Sequence, residues 1–139
     1  MVEFALILPI FILILVGIFD VGRAVYAYNT VNNAAREGAR HAIVDQTVAH
    51  IQSAASQHAV SLNIDDGDID VTFELASGGA CTQLGSPQVN QCVAVVEVPY
   101  EYSAATPLIG NLVGVLQLTG RSTFPIEFDC IGTACPLGD

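Results

Sequence analysis

The stretch EFALILPIFILILVGIFDVGRAVYAYNTVNNAAREGARHAI, residues 3–43, decides how this chain folds. It is one continuous helical pattern, apolar all round in its first half and amphipathic in its second. Residues 4–19 carry no charge and are bracketed by Glu3 and Asp20. At ~1.5 Å per residue this uncharged run covers about 24 Å, short of a hydrocarbon core of roughly 30 Å. Adding residues 21–28 makes the span sufficient but brings in Asp20 and Arg23. These lie three apart on one helix face, where they can satisfy each other or meet partners on adjacent helices. Such a helix is expected to visit a membrane and then be used elsewhere. Pro9 removes the hydrogen bond to the Ala5 carbonyl and is expected to kink or loosen the first turns. A carboxylate at Glu3, beside Phe4 and the apolar run, is costly unless paired or held at an interface. Pairing with a positive N-terminal amine, its own or a neighbour's, is the expected solution.

Working outward, Val21, Ala24, Tyr28, Val31, Ala35, Gly38 and Ala42 recur at spacings of three and four. Arg23, Thr30, Asn33, Glu37 and Arg40 line the other side, with Glu37 and Arg40 placed to pair. Ala34, Gly38 and Ala42, four apart, let another backbone approach closely and are expected to carry the contact between helix and sheet. Asp45 or Thr47 is placed to cap a second, shorter helix with Val48, Ile51, Ala55, Ala59 and Leu62 as its apolar stripe. Three alternating segments then read as strands. The first has Ile69, Val71, Phe73 and Leu75 inward, and the second Cys92, Ala94, Val96, Val98, Tyr100 and Tyr102. The third has Leu116, Leu118, Phe124, Ile126 and Phe128. Pro99 lacks a ladder donor, so the second strand is at an edge or interrupted there. The expected class is α+β: a long hydrophobic helix running into an amphipathic one, a short second helix, and a small antiparallel sheet of three to four strands packed on the long helix. Two parts are expected, a hydrophobic helix over 1–28 and a head domain over 29–139.

Fourteen acidic residues against four arginines and no lysine give a net charge of −10. That disfavours nucleic acid and anionic membrane surfaces, both of which need clustered cations. Cys81, Cys92, Cys130 and Cys135 all follow the apolar helix. Four cysteines permit three pairings. Short loops rich in Gly, Ser or Pro favour Cys81 with Cys92 and Cys130 with Cys135. Disulfides imply an oxidising compartment, hence a head domain outside the cytoplasm. Arg23, Arg36 and Arg40 follow the apolar run, and by the positive-inside rule alone they would put the head domain inside. A basic leader removed from the chain would reconcile the two.

Sequence motifs for catalysis are missing: there is no G-x-S-x-G, no H-E-x-x-H and no phosphate-binding glycine loop. His41, His50 and His58 share no ligand spacing and read as surface or interface residues. An enzyme is not expected. Calcium at Asp65, Asp66, Asp68 and Asp70 is the one cofactor the sequence offers, since four carboxylates within six residues supply hard oxygen ligands. The EF-hand pattern fails, because counting from Asp66 puts Val71 at the glycine position and Ser77 at the bidentate glutamate. An acidic turn before a strand is the simpler reading.

The VEFAL start, the central proline, the Gly22–Arg23 midpoint and the run N-A-A-R-E-G-A-R at residues 33–40 carry a resemblance. Together, residues 2–40 resemble the TadE family of pilin-like proteins from tight-adherence (Flp-type) systems, within the type IV pilin class. A weaker similarity runs over residues 93–127, including Tyr100 and the Thr106–Pro107 pair. The resemblance implies synthesis as a membrane-anchored prepilin, leader removal by a prepilin peptidase and extraction by an assembly platform. Helical self-polymerisation, with the hydrophobic helices in a central core, is the expected end state. Glu3 then corresponds to the family's N-terminal glutamate, which compensates a neighbouring N-terminal charge during assembly. The expected role is a structural subunit of an extracellular, cell-surface filament for adhesion, anchored in the cytoplasmic membrane before assembly. Rival expectations are a minor pilin that primes or caps a filament of other pilins, and a membrane-tethered calcium-binding or adhesin module.

Overall fold

The computed structural model of the chain describes residues 2–81, 91–106, 110 and 114–127, with the backbone alone at positions 2, 3 and 5. The first helix, α1 (Val2–His41), runs through Pro9 and through residue 28 as one element of 40 residues. At ~1.5 Å per residue it is about 60 Å long. A short corner leads to α2 (Val48–Gln57), followed by 3-10 turns at Val60–Leu62 and Asp66–Asp68. Three strands complete the described chain: β1 (Asp70–Leu75), β2 (Cys92–Ser103) and β3 (Val115–Pro125). They form an antiparallel sheet in the order β1-β2-β3. The architecture is α+β, as the sequence predicts, with three strands among the described residues.

The corner between the helices is set by Asp45. Its Oδ1 accepts from the Thr47 backbone N–H at 2.8 Å, and its Oδ2 accepts from His50 Nδ1 at 2.6 Å. A carboxylate has no proton to give, so the histidine nitrogen is the donor. Thr47 occupies the N-cap position without a side-chain cap bond. The two residues expected to compete for the cap therefore divide the work. Burial raises the Asp45 pKa, but the hydrogen bonds from His50 and Thr47 outweigh it and hold the group below its ordinary 3.8. The second helix stops at Gln57, and the rest of its expected stripe is carried by buried Ala59 and half-buried Leu62 in the first 3-10 turn.

In the sheet, β2 pairs with β1 over residues 92–97 and with β3 over residues 93–103. Pro99 thus sits where β2 has a neighbour on one side only, which resolves the expected conflict between a proline and a central strand. Cys81 is bonded to Cys92 across a Cα separation of 5.7 Å, tying the turn after β1 to the start of β2. The second expected bridge, Cys130 with Cys135, lies outside the described residues, as does Phe128.

The core joins Val31, Ala34, Ala35, Ala39 and Ala42 of α1 to Ile51 and Ala55 of α2 and to Ala94, Val96 and Val98 of β2. Ala34, Gly38 and Ala42 are all buried. A Cβ at Gly38 would lie 2.9 Å from the Ala55 Cβ and 3.2 Å from Val96 Cγ1, so this stripe seats α2 as well as the sheet. The buried face differs in phase from the sequence reading. Tyr28 and Val21 are exposed, while Ala27 and Thr30 are buried. Thr30 satisfies its hydroxyl by donating to the Tyr26 carbonyl at 2.9 Å. A tyrosine ring could not fit the gap that alanines leave. Glu37 and Arg40 form no ion pair, although the sequence places them to do so; among the described residues the ion pairs are His50 with Asp45 and Arg121 with Glu97.

The tightest approach is at Gly120 of β3. A Cβ there would fall 2.2 Å from the Val31 carbonyl oxygen and 2.8 Å from the Asn32 nitrogen. Strand and helix meet backbone to backbone, which only glycine allows. Gly120→Ala in the full chain, held in detergent micelles, is expected to lose ~1–3 kcal/mol or more in denaturant unfolding. Gly22→Ala, where an added Cβ meets nothing within 4 Å, should be neutral or gain up to ~1 kcal/mol as a helix-interior glycine replacement.

A second expectation concerns pH. The Asp45 pKa is depressed in the fold, so its contribution is complete above the unfolded value of 3.8 and is lost as pH falls through the lower folded value. Thermal melts between neutral pH and pH ~3 should show this acid-side loss, and Asp45→Asn should be less stable at neutral pH with a shallower acid slope.

Candidate functional site

The head domain covers only the second half of α1. Phe4, Leu6, Ile7, Ile10, Phe11, Ile14, Ile18 and Phe19 are all more than half exposed, and they surround the helix on every side. Along Leu6–His41 the helix is long and apolar enough to cross a membrane by length and composition. Large exposed apolar surfaces of this kind mark contact with lipid or with other proteins. Phe4 and Pro9 belong to this bare segment. Glu3 lies in the first turn of α1, with its side chain outside the described ones.

The head's cover of the helix begins on one face. Phe19 is 72% exposed and Asp20 4%, while Val21, Val25, Tyr26 and Tyr28 on the other faces stay more than half exposed. Asp20 does not pair with Arg23. Its Oδ1 accepts from the Ala105 backbone N–H at 3.1 Å, and its Oδ2 from the Thr106 N–H at 3.2 Å and from the Thr106 hydroxyl. The Tyr102 hydroxyl, at the end of β2, donates to the backbone carbonyl of the same Asp20 at 2.7 Å. Burial, then the Asp20 charge, push the Tyr102 phenol above its ordinary pKa. A carboxylate that looks awkward in a membrane helix is thus a clamp for the segment leaving β2, with several donors turned toward it. Arg23 is exposed and makes no ion pair among the described residues.

The clamp was not legible in the sequence, because Asp20 and Thr106 are 86 residues apart and neither sits in a motif. Gly120 left a clearer signal, a lone glycine inside an alternating strand, which commonly marks close backbone approach. Asp65, Asp66, Asp68 and Asp70 are exposed around the turn before β1. Among the described residues no three His, Cys, Asp or Glu side chains are grouped to hold a metal ion, so these carboxylates do not converge. His50 is taken up by Asp45.

The bare half and the start of the covered half are also where the chain is similar to known proteins. Residues 1–40 match the family model of the TadE-like proteins. The match covers the apolar run, Asp20, Arg23 and the small-residue stripe almost to its end, and bears out the resemblance carried by residues 2–40. It stops at residue 40, before α2 and the sheet, so the weaker TadE-like similarity over residues 93–127 stays a resemblance. No curated protein and no solved structure gives a significant match to the chain.

Removing the clamp should free the segment after β2 without disturbing α1. In Asp20→Ala, backbone amide exchange at Ala105 and Thr106 is expected to speed up strongly, with helix amides around Ala27 unchanged. Asp20→Asn, which keeps one acceptor oxygen, should fall between. Unchanged exchange at Thr106 in Asp20→Ala would show that the carboxylate does not hold this segment.

Proposed function

We propose that this protein is a structural pilin subunit that polymerises through the bare half of α1 into an extracellular, type IV-like filament of the Tad class, used for adhesion or surface attachment. The observation that carries this reading is the division of one helix: residues 4–19 offer an apolar surface to something outside the chain, while residues 20–42 are built into a folded head. The TadE-like match over residues 1–40 supports a place in a tight-adherence pilus system. Before assembly the same surface suits a bilayer, and a prepilin peptidase and an assembly platform would act on the anchored form. The Cys81–Cys92 bond fits a head that folds in an oxidising compartment.

Burial drives the assembly. Packing bare segments side by side removes on the order of a thousand Å² of helix surface per subunit, worth ~25 cal/mol per Å² gross where water is the reference. Ordering and the loss of translational freedom take back much of it. Between lipid and protein the hydrophobic gain largely cancels, so close packing and charge pairing must decide. Glu3 is the residue assigned to charge pairing, against a positive amine at the N-terminus of its own or a neighbouring copy.

Electron microscopy and subunit stoichiometry of material sheared from the cell surface test the reading. Filaments made of this chain at uniform ratio support it; traces beside another, abundant pilin would instead fit a subunit that primes or caps a different filament. Glu3→Ala is expected to accumulate at normal levels in the membrane and yield few filaments, and an unchanged filament yield would remove the charge-pairing role.

A further inference from the structure

Resting on the polymer reading, we propose that the outer face of α1, centred on Arg36 and Arg40, docks onto the acidic corner Asp65–Asp68 of the next copy in the filament. Arg36 and Arg40 extend an exposed stripe with Asn29 and Asn33, at spacings of four, three and four, on the side of α1 turned away from the core. Arg36 and Arg40 make no ion pair among the described residues, in a chain whose net charge is −10. The acidic corner is the densest negative patch of the head: Asp65, Asp66 and Asp68 are all exposed, and neither ion pair among the described residues involves them.

The two patches do not pair within one subunit. The acidic corner lies along α2: Asp65 and Asp66 border the same depression as Ser56 and Gln57, and the Ile69 carbonyl accepts from Gln52 Nε2 at 2.9 Å. Arg36 and Arg40 stand on the face of α1 turned away from the core that α2 joins. Asp68 moreover faces the sheet side, lining a depression of about 430 Å³ with Pro99, Tyr100 and Glu101.

Two different, complementary patches on one molecule make a heterologous contact, which propagates from copy to copy where a two-fold contact would close on itself. The bare segment supplies unoriented apolar burial, and the charged contact supplies register between heads.

The test exchanges charges in the full chain in its own cells and reads sheared filament yield. Arg36→Glu with Arg40→Glu, and separately Asp66→Arg with Asp68→Arg, should each lower yield roughly tenfold or more, by like-charge juxtaposition. Combining all four substitutions in one chain, or co-expressing the two double variants, should restore it. Melting temperatures of the micelle-bound variants should stay at the wild-type value, since all four side chains are exposed; wild-type filaments should loosen as salt is raised. Normal filaments from both double variants would overturn the contact and leave the polymer reading standing. Loss with the arginine pair alone, unrestored by the aspartate exchange, would also overturn it and point to lipid or another protein as the partner of α1. A wild-type chain found only in traces beside another pilin would overturn the polymer reading and this contact with it.

Discussion

Everything beyond residue 20 depends on how closely a strand can approach the backbone of α1. At Gly120 the approach leaves no room for a single carbon atom beyond the main chain, since an added Cβ would overlap the Val31 carbonyl. The buried alanines at positions 27, 34, 35, 39 and 42 keep the rest of the seam thin. A core made so largely of alanine and valine contributes little burial per residue. It compensates by continuity, because one helix face runs against β2, β3 and α2 together. The Cys81–Cys92 bond and the Asp45 corner then fix the two places where the chain leaves that face.

The helix has a bare part and a covered part, and the cover begins on one face at Asp20. Below it most of the described side chains are large, apolar and exposed. Above it the side chains turned to the core are small and buried. Asp20 is fit for the boundary because a carboxylate can accept from several donors at once. The two amides and the hydroxyl it receives come from the segment just after β2. These charge-assisted hydrogen bonds hold the segment after β2 against the helix.

Much of this was legible in the sequence because it rests on local periodicity. The alternation of Val71, Phe73 and Leu75 and of residues 92–102 gave the strands with their inward faces, and spacing gave the first helix as one element. The pairing of Cys81 with Cys92 followed from loop length. Where the reading slipped, the cause was tertiary. Apolar character placed Tyr28 inside and Thr30 outside, yet the gap to β3 admits only small groups, so the buried stripe turned to take Thr30 and release the tyrosine. The Asp20 clamp joins residues from opposite ends of the fold, a kind of contact for which periodicity carries no signal. That residues 4–19 stay exposed was also legible, since an uncharged run of that length is too large for so small a head to cover.

The unbroken course of α1 has a mechanical consequence. Because α1 is a single helix from residue 2 to residue 41, a pull on the head is carried along the helix axis. The load crosses from sheet to rod through the Gly120 seam and the Asp20 clamp. Both would be strained in shear, where many contacts resist together, whereas peeling would break them one after another. In a chain of this design, tension between the head and the apolar end of the helix passes through the seam.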